Sequence, residues 1–366
     1  MKVLILGAGN AQIDAIKYCK GKGHEVYGCS YTNTDKGIPL LDHFKQLDIK
    51  DVEGIKSYME ENGIDIVYSV GSDLAMPTIM KVSEELGLKH FISSKTAELC
   101  QNKHLMRMAL GNDFVGNIPF VVCGNIQEAL GYTEFPGMMK PVDSQGQRGC
   151  YRVNCKEEIK EFFEKSLSFS KTGKVIIEKF IDGPEVSVNG YLQDGILKFA
   201  LVSDRIVFDE YPGGIIKEHL LPTKYPESKE KIVDLVRRVA EKLEIKDGPV
   251  YAQLKIDQGE NPVLLEITPR LDGCHMWNLI KHYSGNDLLD ATFRQLFFND
   301  DIEFKHVDET KKMKLAFTCA KTGSIFDRKN YDIKNAEYHT WYYETGETVK
   351  SLNGFMEKGG YQITLY

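Results

Sequence analysis

The most regular alternation of apolar and polar positions lies between Pro249 and Arg270, PVYAQLKIDQGENPVLLEITPR. Val250 to Ile256 places Tyr251, Gln253 and Lys255 on one face and Ala252, Leu254 and Ile256 on the other, which predicts a strand. Asp257 to Pro262 carries turn residues, and Val263 to Thr268 returns with Glu266 and Thr268 on one face. Such a hairpin brings Gln253, Glu266 and Thr268 together as oxygen ligands, with Arg270 just beyond. Hard oxygen donors beside a guanidinium suit magnesium and phosphate chemistry. An ordinary amphipathic hairpin accounts for the pattern equally well.

Residues 1 to about 92 alternate strand and helix. Val3 to Leu6 is an apolar run ending at Gly7, and the helix after it has Ile13 and Ile16 on one face. Glu25 to Cys29 and Asp65 to Val70 read as strands. Asp51 to Glu61 reads as a helix with Ile55, Tyr58 and Met59 inward, and Pro77 to Leu86 as another with Gly87 as its end. The order predicts a small doubly wound α/β unit. Its first turn, GAGNAQ, invites a dinucleotide reading. Gln12, however, stands where a third small residue belongs, and the second strand ends Cys29-Ser30-Tyr31 without an acidic residue. That argues against a nicotinamide oxidoreductase and leaves a tight turn whose helix N-terminus suits an anion such as a carboxylate.

From Ser93 the pattern changes. Ser93 to Leu110 is a polar helical stretch containing Lys103, followed by short strands around Phe120 and from Gly137 to Pro141. Lys140 ends a strand, and the polar loop DSQGQRG from Asp143 to Gly149 leads into a strand from Cys150 to Val153. A strand–loop–strand differs from a P-loop, but its amides suit a polyphosphate with Lys140 as counter-charge; an exposed hairpin loop is the plain alternative. Glu178 to Ile181 follows a buried strand, and Glu185 lies seven residues after Glu178; both glutamates read equally as solvated surface. Ser228 to Leu243 reads as a long helix capped by Ser228, and a further helix runs to Phe297 with Asn286 as its cap. Beyond about Lys311 the chain is strand-rich, a small appended β-rich subdomain.

The length of 366 residues suits two or three domains. A formal net charge of -7 with both signs interspersed argues against nucleic-acid and anionic-membrane partners. No apolar run approaches the roughly 20 residues of a membrane span, and MKVLILGAGN reads as a first strand rather than a signal peptide. The eight cysteines show no CxxC spacing, which fits free thiols in a cytoplasmic protein.

Taken in order, Lys103, Lys140 with its glycine loop, EKFIDGPEVSV from Glu178 to Val188, and QLKID with LLEITPR resemble the ATP-grasp superfamily, in particular its carboxylate–amine ligases. GSDLAMPTIMKVSEELGL is similar to a unit of the α/β domain that precedes the grasp in that family. The resemblance implies an α/β and α+β architecture: a pre-ATP-grasp α/β domain over 1–92, the ATP-grasp domain over 93–300 with a lid at about 115–182, and a C-terminal β-rich subdomain over 301–366. It implies an ADP-forming ligase working through an acyl phosphate with ATP and Mg2+, Mn2+ being a substitute. Glycinamide ribonucleotide synthetase-like and carbamoyl-phosphate synthetase-like chemistry are alternatives, as is a nucleotide-binding regulatory protein without catalysis.

By position, the resemblance assigns Lys103 and Lys140 to the phosphates and the loop Ser144, Gln145, Gly146 to Gly149 to a cover over them. Glu178, with Lys179, Phe180 and Ile181, would bind adenine, and Glu185 ribose. Gln253, Glu266 and Thr268 would hold metal, with Gln253 and Thr268 departing from the usual acid and asparagine. Arg270 would stabilise the acyl phosphate. Lys217 or His219, after Gly213-Gly214, would reach the γ-phosphate or the acid, and His275 would touch substrate; for each, an exposed or structural side chain is the alternative. Cys274 reads as packed rather than reactive. The partners implied are a small-molecule carboxylate and an amine, and the resemblance leaves room for a homodimer.

Overall fold

The chain was analysed as a computed structural model, which describes residues 1–142, 149–208, 215–333, 335–350 and 356–366. The first unit runs β1 (Lys2–Leu6), α1 (Ile13–Gly21), β2 (Glu25–Ser30), β3 (His43–Gln46), α2 (Val52–Asn62), β4 (Ile66–Tyr68) and α3 (Met76–Leu86). All its strands pair in parallel in the order β3-β2-β1-β4. Val3 to Leu6 are fully buried because helices cover both faces of such a sheet, which is why β1 reads as a continuous apolar run. Ile55, Tyr58 and Met59 of α2 and Ile79 and Val82 of α3 point inward as their spacing predicts. Asp51 caps α2 by accepting from Gly54 N.

Two differences from expectation sit here. The edge strand β3, HFKQ, is half-exposed and carries no alternation that would announce it. Gln12 fills the GAGN turn: its Oε1 accepts from Gly9 N at 3.0 Å and its Nε2 donates to the Val70 carbonyl. The turn's amide is therefore satisfied internally, and the anion site expected at this helix start is plugged by a side chain.

Next come α4 (Ser94–Gln101), α5 (Lys103–Leu110), β5 (Phe120–Cys123), α6 (Ile126–Ala129), β6 (Gly137–Pro141), β7 (Tyr151–Val153), α7 (Lys156–Leu167) and β8 (Val175–Lys179). The stretch expected as one helix is broken at Asn102, whose extended backbone (φ -105, ψ 102) makes Lys103 the first residue of α5. Strands β5-β8-β6-β7 form a small antiparallel sheet under α7, with Ile159 and Phe163 packed on Met139, Val153 and Ile177.

The rest runs β9 (Glu185–Gln193), β10 (Ile196–Val207), β11 (Ile216–Leu221), α8 (Pro226–Lys242), β12 (Gly248–Ile256), β13 (Pro262–Thr268), α9 (Met276–Ser284), α10 (Leu288–Phe298), β14 (Met313–Lys321), β15 (Ala336–Trp341) and β16 (Met356–Leu365). One eight-stranded sheet, ordered β13-β12-β9-β10-β11-β14-β16-β15, takes in all these strands. The β-rich C-terminal strands thus continue the central sheet rather than forming one of their own. Ile232, Leu235, Val236 and Val239 of α8, spaced three and four apart, are fully buried against it. Each contributes roughly 1.5–3 kcal/mol as area removed from water.

The expected caps are corrected. α8 begins at Pro226 with Tyr225 before it, and Ser228 is buried inside the first turn, donating weakly to Glu260 O at 3.4 Å. Asp287, not Asn286, caps α10; the Asn286 amide bonds Ser284 Oγ and Lys305 O instead. All eight cysteines are free. Among the described residues no helix is long and apolar enough to cross a membrane.

Candidate active site

Strands β12 and β13 pair antiparallel with Gln253 opposite Glu266 and Tyr251 opposite Thr268. The register slips between Gln253 and Leu254, so a bulge sits beside the ligands. The hairpin therefore brings together the three oxygen donors that its alternation predicts. Thr268 is buried and its Oγ1 has no hydrogen-bond partner in the structure, an arrangement that costs free energy unless a ligand satisfies it. Gln253 donates from Nε2 to Glu185 Oε2 at 2.9 Å. A carboxylate only accepts, so the amide must present its nitrogen there, which leaves Oε1 as the donor for a cation. Glu185 is also ion-paired with Arg205 of β10. The glutamate expected at a ribose is thus held by Arg205 and tied to the metal candidates.

Glu266 Oε2 accepts an ion pair from Lys103 Nζ at 2.8 Å. Burial would raise the Glu266 pKa, but Lys103, and further off Arg270 and Arg205, hold it below the ordinary carboxylate value. An ammonium thus rests on the carboxylate where a metal cation would bind. The residues present fit Mg2+: hard oxygens only, one orphaned hydroxyl, and a carboxylate already dressed with a cation.

Lys140 on β6 pairs with Glu178 on β8, its cross-strand diagonal neighbour. Glu178 also accepts from Arg107 Nε at 2.9 Å. Arg107, on α5 and only 1% exposed, donates as well to Asn117 Oδ1 at 3.1 Å and to Leu265 O at 2.9 Å. Burial alone would push Glu178 upward; Lys140 and Arg107 more than reverse this, to about 2. Glu178 was expected at adenine, yet its carboxylate is committed to these two cations. Arg107 was missed in the sequence, where an arginine in a polar helical stretch reads as solvated.

The segment after β8 is pinned. Lys179 N and Phe180 N donate to the carbonyls of Pro119 and Pro136, and Ile181 O accepts from Lys255 Nζ at 3.1 Å. The Phe180 ring lies under the Arg152 guanidinium at 4.2 Å. Gly183 permits the close approach to the hairpin, since a Cβ there would meet Ile256 O at 1.9 Å. Of the glycine loop, Ser144, Gln145 and Gly146 lie outside the described residues; Gly149 is described, with φ +74.

Arg270 is buried and forks onto Asp73, with Nε and Nη2 each 2.7 Å from a carboxylate oxygen, and its Nη1 donates to Leu271 O. Asp73 belongs to the Gly71-Ser72-Asp73 turn after β4. Gly71 docks directly on Gly273: a Cβ would meet Gly273 Cα at 2.7 Å, and Gly71 N donates to Leu271 O at 3.2 Å. The arginine expected at an acyl phosphate is therefore anchored to the first α/β unit.

Two histidines depart from expectation. His219 is not on a loop. It sits on β11 opposite Arg205, fully buried, with neither ring nitrogen hydrogen-bonded. Burial, with Arg205 and Lys358 nearby, depresses it to about 3, so it is a neutral imidazole at physiological pH and carries no catalytic charge. Lys217, two residues earlier, is exposed, its Nζ 5.7 Å from the Phe208 ring centroid. His275 precedes α9 in the left-handed region (φ 57), which costs roughly 1–2 kcal/mol for a residue with a Cβ. Both its nitrogens are engaged by protein: Nδ1 lies 3.2 Å from Asp14 Oδ2 and Nε2 2.7 Å from the Tyr342 hydroxyl. The carboxylate can only accept, so Nδ1 donates to it. His275 thus joins α1, the hairpin exit and the C-terminal strands. Cys274 is packed, as expected.

Comparison with known proteins agrees with this geometry. Residues 133–277 match the ATP-grasp domain family. A phosphoribosylamine–glycine ligase of Methanocaldococcus jannaschii is 26% identical over 344 residues, covering 84% of this chain and 76% of the relative. An L-amino acid ligase structure from Bacillus licheniformis superposes with TM-score 0.80 at 18% identity, covering 100% of this chain and 93% of that one. The biotin carboxylase domain dimer of a 2-oxoglutarate carboxylase from Hydrogenobacter thermophilus, in complex with MgADP, ADP and bicarbonate, gives TM-score 0.78 at 16% identity, covering 100% and 86%. The hairpin of oxygen donors, the two lysines on their glutamates and these likenesses converge: residues 133–277 carry an ATP-grasp domain, and the chain along its whole length has the fold of these solved structures.

Proposed function

We propose that the chain is an ATP-dependent, ADP-forming ligase that joins a small-molecule carboxylate to an amine. The observation that carries this reading is the partner-held pair of lysines: Lys103 on Glu266 and Lys140 on Glu178. Both ammonium groups are poised at one site, and the triphosphate of ATP gives each a better anion. When the nucleotide enters, Lys103 turns from Glu266 to phosphate oxygen and Lys140 shares its charge between Glu178 and phosphate. Glu266, Gln253 Oε1 and Thr268 Oγ1 are then free to hold Mg2+, which supplies charge neutralisation on the phosphoryl oxygens.

A carboxylate oxygen attacks the γ-phosphorus, ADP leaves, and an acyl phosphate remains. The amine nitrogen then attacks the acyl carbon, phosphate departs with the bonding pair, and the ammonium proton is lost to solvent or a base. The chain's part is to position and shield the reactants, because water would hydrolyse the acyl phosphate. Glu178 keeps Lys140 oriented, and Arg107 keeps Glu178 ionised. Arg270, fixed by Asp73, presents its guanidinium edge beside the hairpin for the charge of the acyl phosphate. Names of relatives support carbon–nitrogen bond formation with ATP. The assignment of 1–92, 93–300 and 301–366 to pre-grasp, grasp and C-terminal parts, a homodimer and a cytoplasmic location belong to the same proposal.

The test is a matrix of acids and amines with Mg-ATP, scored by phosphate and ADP release. An acid–amine pair that releases both, and a Glu266→Gln variant that releases neither while still folding, are expected. ATP binding without ADP formation across the matrix would favour the regulatory alternative.

A further inference from the structure

Beside the ligase site lies a second donor cluster that the proposed reaction does not use. His219 of β11, Asp272 and Cys274 place one imidazole nitrogen, one carboxylate oxygen and one sulfur all within 4.8 Å of one another, and all three side chains are buried. Among the described residues this is the one such group of three. Nitrogen, oxygen and sulfur together are a donor set for a borderline-soft divalent ion of the zinc type, not for Mg2+.

Two further observations point to a ligand. Both His219 nitrogens lack a hydrogen-bond partner although the residue is 0% exposed. Asp272 Oδ1 accepts from Cys274 N at 3.0 Å, which fixes the carboxylate and leaves its buried Oδ2 unpartnered. A buried unpaired polar atom costs free energy, so a chain that keeps several at one point gains when something fills them. Metal–donor bonds of about 2.0–2.3 Å in a tetrahedron put donors about 3.3–3.8 Å apart, so side-chain rotations of about 1 Å close the site.

Three cations lie near the cluster, and the first of them, Arg270, is held by Asp73. Arg205 is neutralised by Glu185. Lys358 of β16 rests with Nζ 3.7 Å from the Phe317 ring centroid and 3.5 Å from Cys274 Sγ. Its ammonium donates to the sulfur, and a bound ion takes the place of that contact as the thiol proton is released to solvent.

We propose that His219, Asp272 and Cys274 form a binding site for one zinc-type divalent ion per chain, distinct from the Mg2+ ligands on the hairpin. Three protein donors leave a fourth position for water. Asp272 and Cys274 lie two and four residues after Arg270 and Gly71 packs on Gly273, so occupancy ties the exit of the hairpin to β11.

The test titrates the full-length protein with Zn2+ against a chromophoric chelator, and with Co2+ followed by its thiolate charge-transfer absorption, both in excess Mg2+. One tight equivalent with a Co–thiolate band is expected. Cys274→Ser should abolish the band, and Cys274→Ser, His219→Ala and Asp272→Asn should each weaken Zn2+ by at least about 100-fold, more than an outer-shell partner carries. A Cys150→Ser/Cys155→Ser variant should bind as the parent does. Displacement of Zn2+ by Mg2+, an unchanged Cys274→Ser titration, or loss of binding in the Cys150/Cys155 variant would overturn the proposal. Circular dichroism verifies folding, and Asp272→Asn preserves shape should His219→Ala not fold. The metal readout is independent of turnover, so it stands or falls apart from the ligase reading.

Discussion

Glu178→Gln removes one negative charge from a buried trio and should cost about 3 kcal/mol at neutral pH. The Glu178 pKa falls from 4.5 to about 2 on folding. At about 1.4 kcal/mol per pH unit, that difference is worth about 3 kcal/mol. A second route gives a similar size. Removing one partner of a buried ion pair costs about 3–5 kcal/mol, because Arg107 keeps its charge with only neutral oxygens, those of Asn117, Leu265 and the introduced amide, left to bond. The sign with pH follows from a depressed carboxylate: the stabilisation is full above the unfolded value of 4.5 and is lost as pH falls from there toward 2. Urea unfolding of parent and variant from about pH 7 down to about pH 3 should therefore show a gap that narrows with acid. The paired variant Arg107→Met/Glu178→Gln should be more stable than the sum of its single changes by roughly 1–3 kcal/mol. A gap that stays constant with pH, or strict additivity in the cycle, would refute the claim that this trio is one electrostatic unit.

Thr268→Val fills the same volume without the orphaned hydroxyl, so it should leave stability equal or higher while raising the Mg2+ requirement of turnover about 10-fold, read by metal titration of activity. Lys103→Gln takes the resident cation off Glu266; nucleotide-free Mg2+ binding should tighten while the KM for ATP rises about 10-fold, a split that calorimetry and kinetics separate. Tyr342→Phe deletes the hydroxyl hydrogen-bonded to His275 and should cost about 1 kcal/mol in thermal unfolding. Leu235→Ala opens a hole under the central sheet, where Leu235 is fully buried, and should cost about 2–5 kcal/mol in urea unfolding.

Local periodicity carried much of this structure. The parallel unit, the hairpin and the α7 and α8 faces each announce themselves by period two or period 3.6, because burial on one side leaves that imprint. Gln253, Glu266 and Thr268 were readable as a set because a hairpin register is a local property. What stayed hidden is long-range. Arg107 meets Glu178 across 71 positions and Arg270 meets Asp73 across 197, and nothing near either arginine shows that a partner waits elsewhere. From the sequence His219 reads either as a group reaching the γ-phosphate or acid or as an exposed side chain, and its burial on β11 is set by strands far along the chain. His275 reads either as a substrate contact or as structural, because its two partners come from opposite ends of the chain. Asn102 breaks the helix between Gln101 and Lys103, and asparagine, a weak helix former favoured at N-caps, is the local signal for that break.

The fork between Arg270 and Asp73 bears on how the protein can be taken apart. A fragment starting at residue 93 would contain every metal and phosphate candidate, yet it would expose Gly273 and strand a buried guanidinium without its carboxylate. Truncation at that natural-looking seam is thus expected to yield an insoluble or misfolded product. Trans-complementation, with residues 1–92 supplied as a separate chain, is the way such a cut would be tolerated, and the loss of reassociation strength on Asp73→Asn would measure the fork.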